Sequence, residues 1–182
     1  FRPSGRLLVI DVEHLGREGR LFFCINQGGL DLDLRRRCLA ILLPLSTDGL
    51  AIGGLSVGES AEDRFTLLQG LLPEVPDHLP RYLMGVGTPL DFFRACELGI
   101  DMFDCVMPTR VARHGACYTS TGRINLKAAY LESSAQPIDS DCLCCVCQRF
   151  SRAYIRHLFA VDEPVAMTYA SHHNLFFFHG LL

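Results

Sequence analysis

The sequence predicts an α/β chain of parallel βαβ units, followed by a metal-binding region. Short apolar runs alternate with segments of helical periodicity, and those runs are too continuously apolar for strands with one wet face. In addition, four of the nine cysteines fall inside the nine residues "DCLCCVCQR" (141–149).

Taken in order, "RLFFCINQ" (20–27) reads as a buried strand that stops at Gly28-Gly29. The next segment, "LDLDLRRRCLAILL", places Leu34, Cys38 and Ile41 at helical spacing, which predicts a helix burying that stripe. "GLAIGG" (49–54) is the second strand. Ser60 with Asp63 has the form of a capping box, opening a helix that buries Phe65, Leu68 and Leu72. "RYLMGVG" (81–87) is the third strand, and Thr88 as N-cap, Pro89 in the first turn and Gly99 beyond the last turn bracket a further helix. "IDMFDCVM" (100–107) is the fourth strand. Glycines follow three of these strands at their C-terminal ends, where α/β folds place ligand sites, and Asp104 falls near the same end of the fourth. Asp101 and Asp104 sit in an apolar run, where a carboxylate is costly unless it is paired or employed.

After residue 108 the alternation breaks. "ACYTSTGRINL" (116–126) predicts a hairpin turning at Thr121-Gly122, and "FSRAYIRHLFAV" a helix with Tyr154, His157 and Leu158 along one side. The opening "FRPSGRLLVIDVEHLGREG" holds a strand-like "LLVIDV" without a clear unit around it. Asp11 there reads as a strand-end carboxylate satisfied by turn amides, not as a second catalytic acid.

Composition narrows the function classes. Of the 182 residues 49% are apolar, enough for a core, but runs such as "LAILLPL" are far too short to span a bilayer, and no signal peptide is expected. The net charge of −3 gives no global attraction to nucleic acid, yet no acidic residue occurs from Cys105 to Leu131, while Arg110, Arg113, Arg123 and Lys127 are basic. An odd cysteine count without secretory features favours a reducing, cytoplasmic setting, with some thiols as metal ligands. Zinc takes four N/S ligands at tetrahedral corners. Cys144 and Cys147 form a C-x-x-C; either Cys142 or Cys145 can join them, and either His172 or His173 of "ASHHN" can close the set. Four protein ligands leave no position for water, so such a site is structural.

Six ordered motifs then coincide with one family: "NQGG", "AIGGLSVGE", "RYLMGVGTP", "DMFDCVMPTR", "TSTGRINL" and "CLCCVCQRFSRAYIRHL…HN". From about Leu21 to its end the chain resembles the C-terminal half of tRNA-guanine transglycosylase, which exchanges the wobble guanine of certain tRNAs for a 7-deazaguanine base. The resemblance implies the second half of a (β/α)8 barrel, a fold of roughly 250 residues, with an inserted zinc-binding subdomain. On that reading residues 1–19 are an unmatched segment, 20–115 carry about four βα units of the partial barrel, and 116–182 form the zinc subdomain and final helices.

The resemblance also assigns residues. Asp104 matches the family nucleophile. Gln27 and the backbone at Gly54, with Gly53 and Leu55 beside it, match positions that hold the purine, and Met84 a wall of the base pocket. The loop Gly85, Val86, Gly87, Thr88, Pro89, Leu90, Asp91 and the stretch Thr109, Arg110, Val111, Ala112, Arg113 match tRNA-contacting segments. The family zinc pattern C-x-C-x2-C-x25-H selects Cys142, Cys144, Cys147 and His173, one structural Zn2+ per chain, and leaves Cys145 and His172 as bystanders. Val57 stands where bacterial members carry valine, implying 7-aminomethyl-7-deazaguanine as the incoming base in preference to queuine; the resemblance also implies a homodimer for the full-length form. The family's acid/base and base-recognising aspartates belong to its other half, so little exchange is expected of these residues alone. The alternative is a non-catalytic fragment or accessory subunit that binds zinc and contacts tRNA.

Overall fold

The computed structural model of the chain describes residues 20–45 and 47–182. "LLVIDV" and Asp11 therefore lie outside the described residues. Two compact units emerge: one runs to Val86 and resumes at Asp91–Asp104, the other comprises Gly87–Leu90 and Cys105–Leu182.

The first unit is a parallel sheet of β1 (Phe23–Asn26), β2 (Gly49–Ile52), β3 (Arg81–Leu83) and β4 (Met102–Phe103), in that spatial order. Register is continuous, with Asn26 opposite Ile52 and Ile52 opposite Leu83. Helices α1 (Leu32–Leu42), α2 (Ala61–Leu71) and α3 (Pro89–Glu97) connect successive strands. On one sheet face Cys24, Leu50, Ile52 and Leu83 join Leu39 of α1 and Phe65, Leu68 and Leu71 of α2 in a single core, with Leu72 just beyond α2. Each such side chain contributes about 1.5–3 kcal/mol by leaving water. The other face presents Phe23, Ile25, Ala51, Tyr82, Met84 and Met102 around a cavity of about 300 Å³.

Local chemistry explains the helix starts. Asp31 Oδ1 accepts from the Leu34 amide at 3.0 Å and caps α1. Ser60 caps α2 by accepting from the Asp63 amide at 3.1 Å, and its hydroxyl donates to the Asp63 carboxylate at 2.7 Å. Gly99 has φ +84°, a left-handed conformation that ends the turn after α3.

The α1 helix forms where expected but turns a different face inward. Leu34 and Ile41 are each 48% exposed, Cys38 is half-buried, and the buried residues are Arg35 and Leu39. The inward stripe is Leu32–Arg35–Leu39–Leu42, with Leu32 and Leu42 packed on the core. An arginine belongs there because its guanidinium binds main-chain oxygens at the end of β1 and in the loops after β1 and β2. Its Nε donates to Gly29 O at 2.7 Å, Nη1 to Asn26 O at 3.1 Å and to Asn26 Oδ1 at 3.2 Å, and Nη2 to Gly53 O at 2.8 Å. Asn26 Nδ2 in turn donates to Arg35 O at 2.9 Å. The strand around Asp104 is also shorter than expected, only two residues, and both Asp101 and Asp104 are exposed. Asp101 pairs with the Arg81 amide at 2.8 Å, a structural role.

The second unit contains α4 (Met107–Ala112), the hairpin β5 (Ala116–Thr119) and β6 (Gly122–Asn125), α5 (Arg152–Ala160) and α6 (Val165–His179). The hairpin pairs Thr119 with Gly122, so its turn is Ser120-Thr121, one residue earlier than expected. Thr119 Oγ1 donates to Gly122 O at 2.7 Å, which fixes that register. Helix α5, capped by Ser151 accepting from the Tyr154 amide at 3.2 Å, buries Ile155, Leu158 and Phe159 in the second core, while Tyr154 and His157 face solvent. Asn174 of α6 is fully buried and fully satisfied. It donates to Pro108 O at 2.9 Å and Ala116 O at 3.0 Å and accepts from the Tyr118 amide at 3.0 Å.

Replacing Arg35 by Met leaves the Gly29 and Gly53 carbonyls without this donor at a cost of roughly 3 kcal/mol, and Arg35→Lys does not rescue it because an ammonium cannot reach both loops and the end of β1. Urea unfolding of both variants against the parent measures this.

Candidate functional site

At the C-terminal edge of the parallel sheet the chain gathers several candidate residues. Arg35 ties the loop after β1 to the loop after β2. This sets the side-chain amide of Gln27 against Gly53 and Gly54. A Cβ at Gly53 would lie 2.5 Å from that amide, and one at Gly54 2.7 Å. Only glycine lets the carboxamide rest on this backbone, and Gly54 (φ +67°) also needs glycine for its conformation. Leu55 is fully buried beside them, so of this backbone only Gly54 is exposed.

The β2–α2 loop is held from below by Arg64, whose Nε donates to Leu55 O at 2.8 Å. Arg64 also lies 3.5 Å from Glu59 Oε1 and 3.7 Å from Asp91. Glu59 Oε1 makes no hydrogen bond, so its contact with Arg64 is an ion pair at distance, while Oε2 accepts from the Val57 amide at 3.1 Å. Val57 itself is 86% exposed.

Met84 lines the apolar cavity beside Tyr82, and its carbonyl accepts from Ser56 Oγ at 3.3 Å. Asp104 is exposed, and its Oδ1 accepts from Tyr82 Oη and from the Gly85 amide, each at 2.9 Å. Burial and then the Asp104 carboxylate push the Tyr82 phenol above its ordinary value, so it stays a proton donor. Tyr82 was missed in the sequence, although its place two residues before Met84 on one strand puts both on the same face.

The remaining candidates divide by exposure. Val86, Asp91 and Ala112 turn inward, Thr88 and Pro89 are half-buried, and Gly85 and Leu90 face solvent. Arg110 and Arg113 are exposed on and just after α4, whose Thr109 hydroxyl donates back to Val106 O at 3.2 Å.

The second unit carries a metal-binding group. Cys142, Cys144, Cys147 and His173 are all buried, and their ligand atoms lie within 4.8 Å of one another. The Sγ atoms of Cys147 and Cys144 are 3.3 and 3.7 Å from His173 Nδ1. Zinc–sulfur and zinc–nitrogen bonds at tetrahedral angles put such donors about 3.5–3.8 Å apart, so the set fits after contracting by at most about 1 Å. His173 Nε2 sits 2.7 Å from Tyr118 O, which makes Nε2 the protonated nitrogen and turns the Nδ1 lone pair toward the sulfurs. These four residues could hold a metal ion, consistent with zinc. Nearby, Asp139 accepts from the Ser120 amide at 2.7 Å and hydroxyl at 2.8 Å. Burial alone would raise its carboxyl, but these bonds outweigh it and hold the group below its ordinary value.

The family profile described as queuine tRNA-ribosyltransferase matches residues 7–182, beginning inside the segment that motif reading left unassigned. Proteins named queuine tRNA-ribosyltransferase match as well. The one from Oleidesulfovibrio alaskensis is 48% identical over 172 residues, 94% of this chain and 46% of that protein. The one from Clostridium kluyveri is 45% identical over 169 residues, 93% of this chain and 45% of that protein. The chain belongs to the queuine tRNA-ribosyltransferase family. It spans about half the length of the curated relatives it matches, corresponding to their C-terminal part. Among the described residues of this family member no helix is long and apolar enough to cross a membrane.

Two outcomes follow for the metal group. The purified chain is expected to retain one tightly held zinc after exhaustive dialysis, and Cys147→Ala to lose it, as elemental analysis measures. In the metal-stripped chain, burial lowers the His173 pKa against the opposing Tyr118 bond, so its stabilising effect is full above the ordinary 6.5 and fades as pH falls below it. Burial raises the thiols of Cys142 and Cys147, whose contribution is full below the ordinary 9.0 and fades as pH rises above it. Thermal melts after chelation are therefore expected to peak between about pH 6.5 and about pH 9.

Proposed function

We propose that this chain is the catalytic C-terminal half of a tRNA-guanine transglycosylase, which exchanges the wobble guanine of the anticodon for 7-aminomethyl-7-deazaguanine in queuosine biosynthesis. The observation that carries the proposal is Asp104 at the C-terminal sheet edge, with Oδ1 held by Tyr82 and Gly85, on a sheet whose neighbouring strand ends bear Gln27, Gly53 and Gly54. The four-stranded sheet is then half of a (β/α)8 barrel, and its apolar face around Tyr82, Met84 and Met102 is the half-lining of the barrel interior.

The chemistry needs a carboxylate under the ribose. Both donors to Asp104 fall on Oδ1, and among the described residues none reaches Oδ2. Oδ2 then attacks the anomeric carbon as guanine leaves, giving a ribosyl ester. The incoming base attacks that carbon from the vacated face and returns the electron pair to the carboxylate. Two inversions give net retention. Tyr82 and the Gly85 amide stabilise the departing carboxylate in this second step, because they bind its negative charge more strongly than the neutral ester.

Gln27 and the backbone at Gly54, with Gly53 and Leu55 beside it, hold the purine, and Met84 packs on the base. Arg110 and Arg113, in a stretch without acidic residues from Cys105 to Leu131, meet phosphates of the anticodon loop. A single-stranded loop costs little to unstack, which suits base exchange. The zinc is structural: it fixes the Cys142–Cys147 turn against α6 and takes no part in the exchange. The working protein is a cytoplasmic homodimer.

The test is incorporation of labelled guanine into tRNA. The 182 residues alone are expected to give at most a trace. Fused behind the N-terminal half of the Oleidesulfovibrio alaskensis relative they are expected to exchange, and Asp104→Asn in that fusion should lower the rate by roughly 10⁴-fold or more. Exchange that survives Asp104→Asn overturns the assignment, and a fusion that stays folded and inactive favours a non-catalytic, tRNA-contacting role.

A further inference from the structure

Two residues beside the buried ligand group form a pair of their own. Cys145 and His172 are both exposed, and Cys145 Sγ lies 3.3 Å from His172 Nε2. Each adjoins a residue of the buried group, Cys144 and His173, and faces the other way. In the turn, Cys144 and Cys147 point inward and Cys145 outward. On α6, successive residues are about 100° apart, so a buried His173 puts His172 toward solvent. The two segments that bring the inner ligands together therefore bring this outer pair together as well.

The separation matches co-ligation. The outer sulfur–nitrogen distance of 3.3 Å equals that between Cys147 Sγ and His173 Nδ1 in the inner group. It is also close to the about 3.5 Å that one zinc ion imposes on a thiolate and an imidazole at tetrahedral corners. No backbone movement is needed to close it. Thiolate and imidazole together select soft or borderline cations over magnesium or calcium.

We propose that Cys145 and His172 form a second, outer cation site that takes a thiophilic divalent ion such as Zn2+. On binding, the Cys145 S–H bond gives way to a sulfur–metal bond, the proton leaves to solvent, and His172 donates its Nε2 lone pair. Two protein ligands leave the remaining positions to water or small ligands, so this ion exchanges readily, whereas the buried one does not. The outer site is independent of the base-exchange reading, since it uses none of the residues assigned to that chemistry.

The experiment is a titration of the metal-stripped 182-residue chain with Zn2+ against a competing chelator, alongside Cys145→Ser and His172→Ala. The parent chain is expected to take up about two equivalents, one tight and one weaker, and each variant to lose the weaker alone. Retention of the tight equivalent shows that the variant is folded around its inner group. A single equivalent in the parent overturns the proposal, as does a weaker equivalent that persists in both variants and so belongs to other surface groups. A variant that loses both equivalents also overturns it, because the pair would then be part of the inner site.

Discussion

The first unit depends on one buried guanidinium. Arg35 has no solvent exposure, and its donors meet carbonyl oxygens from two separate strand ends and the loop between β1 and α1. Desolvation pushes its pKa down, with Cys38 and Glu59 opposing, yet an arginine starts so high that the charge persists. Charged donors to backbone carbonyls are stronger than neutral ones and geometrically fixed by the planar fork. A lysine or an aliphatic residue could fill part of the volume but could not hold both loops in one register. The placement of Gln27 on Gly53 and Gly54 is therefore a consequence of an arginine that no ligand needs to touch.

The second unit solves the same problem with different chemistry. Its core cluster includes three cysteines of the metal group, Cys142, Cys144 and Cys147, along with Cys117. Burial, aided by Cys144, pushes the Cys117 thiol up to about 12, so it remains a neutral packing residue. A metal held by these residues would give the turn around Cys142–Cys147 an organising centre, because ligand binding then adds to folding free energy. Adjacent residues on α6 serve two ends of the construction. His173 faces the sulfurs and bonds Tyr118 O, while Asn174 satisfies backbone groups of α4 and β5.

Element type was legible in the sequence, whereas the buried face often was not. Alternating apolar runs and helical stretches foretold parallel units, and Ser60 marked its helix start because the cap is local chemistry. In α1, choosing the most apolar stripe pointed to Leu34, Cys38 and Ile41, but the stripe that packs runs through Arg35. A reading by hydrophobicity skips such a stripe, since it cannot weigh carbonyls that come from elsewhere in the chain. The choice between His172 and His173 was open on spacing, yet the signal was present. Ala166, Ala170, His173, Asn174 and Phe178 form one helical stripe of small, polar and apolar residues, all buried, and His172 lies off it.

The two aspartates near the fourth strand show why proximity to an apolar run is a weak guide to role. Both are exposed, so desolvation distinguishes neither. Their partners distinguish them. Asp101 faces the N-terminal end of β3, where its carboxylate and its amide pair with Arg81 backbone groups and hold strand register. Asp104, past the end of β4, is gripped by a phenol and an amide on one oxygen only, leaving the other unengaged among the described residues. Asp101 also engages a single carboxylate oxygen, so place and partner separate the two, not an open oxygen. The proposed nucleophile role of Asp104 draws on its position at the C-terminal edge of the parallel sheet and on an orientation fixed by a phenol and an amide, because a fixed orientation lowers the cost of reaching a transition state.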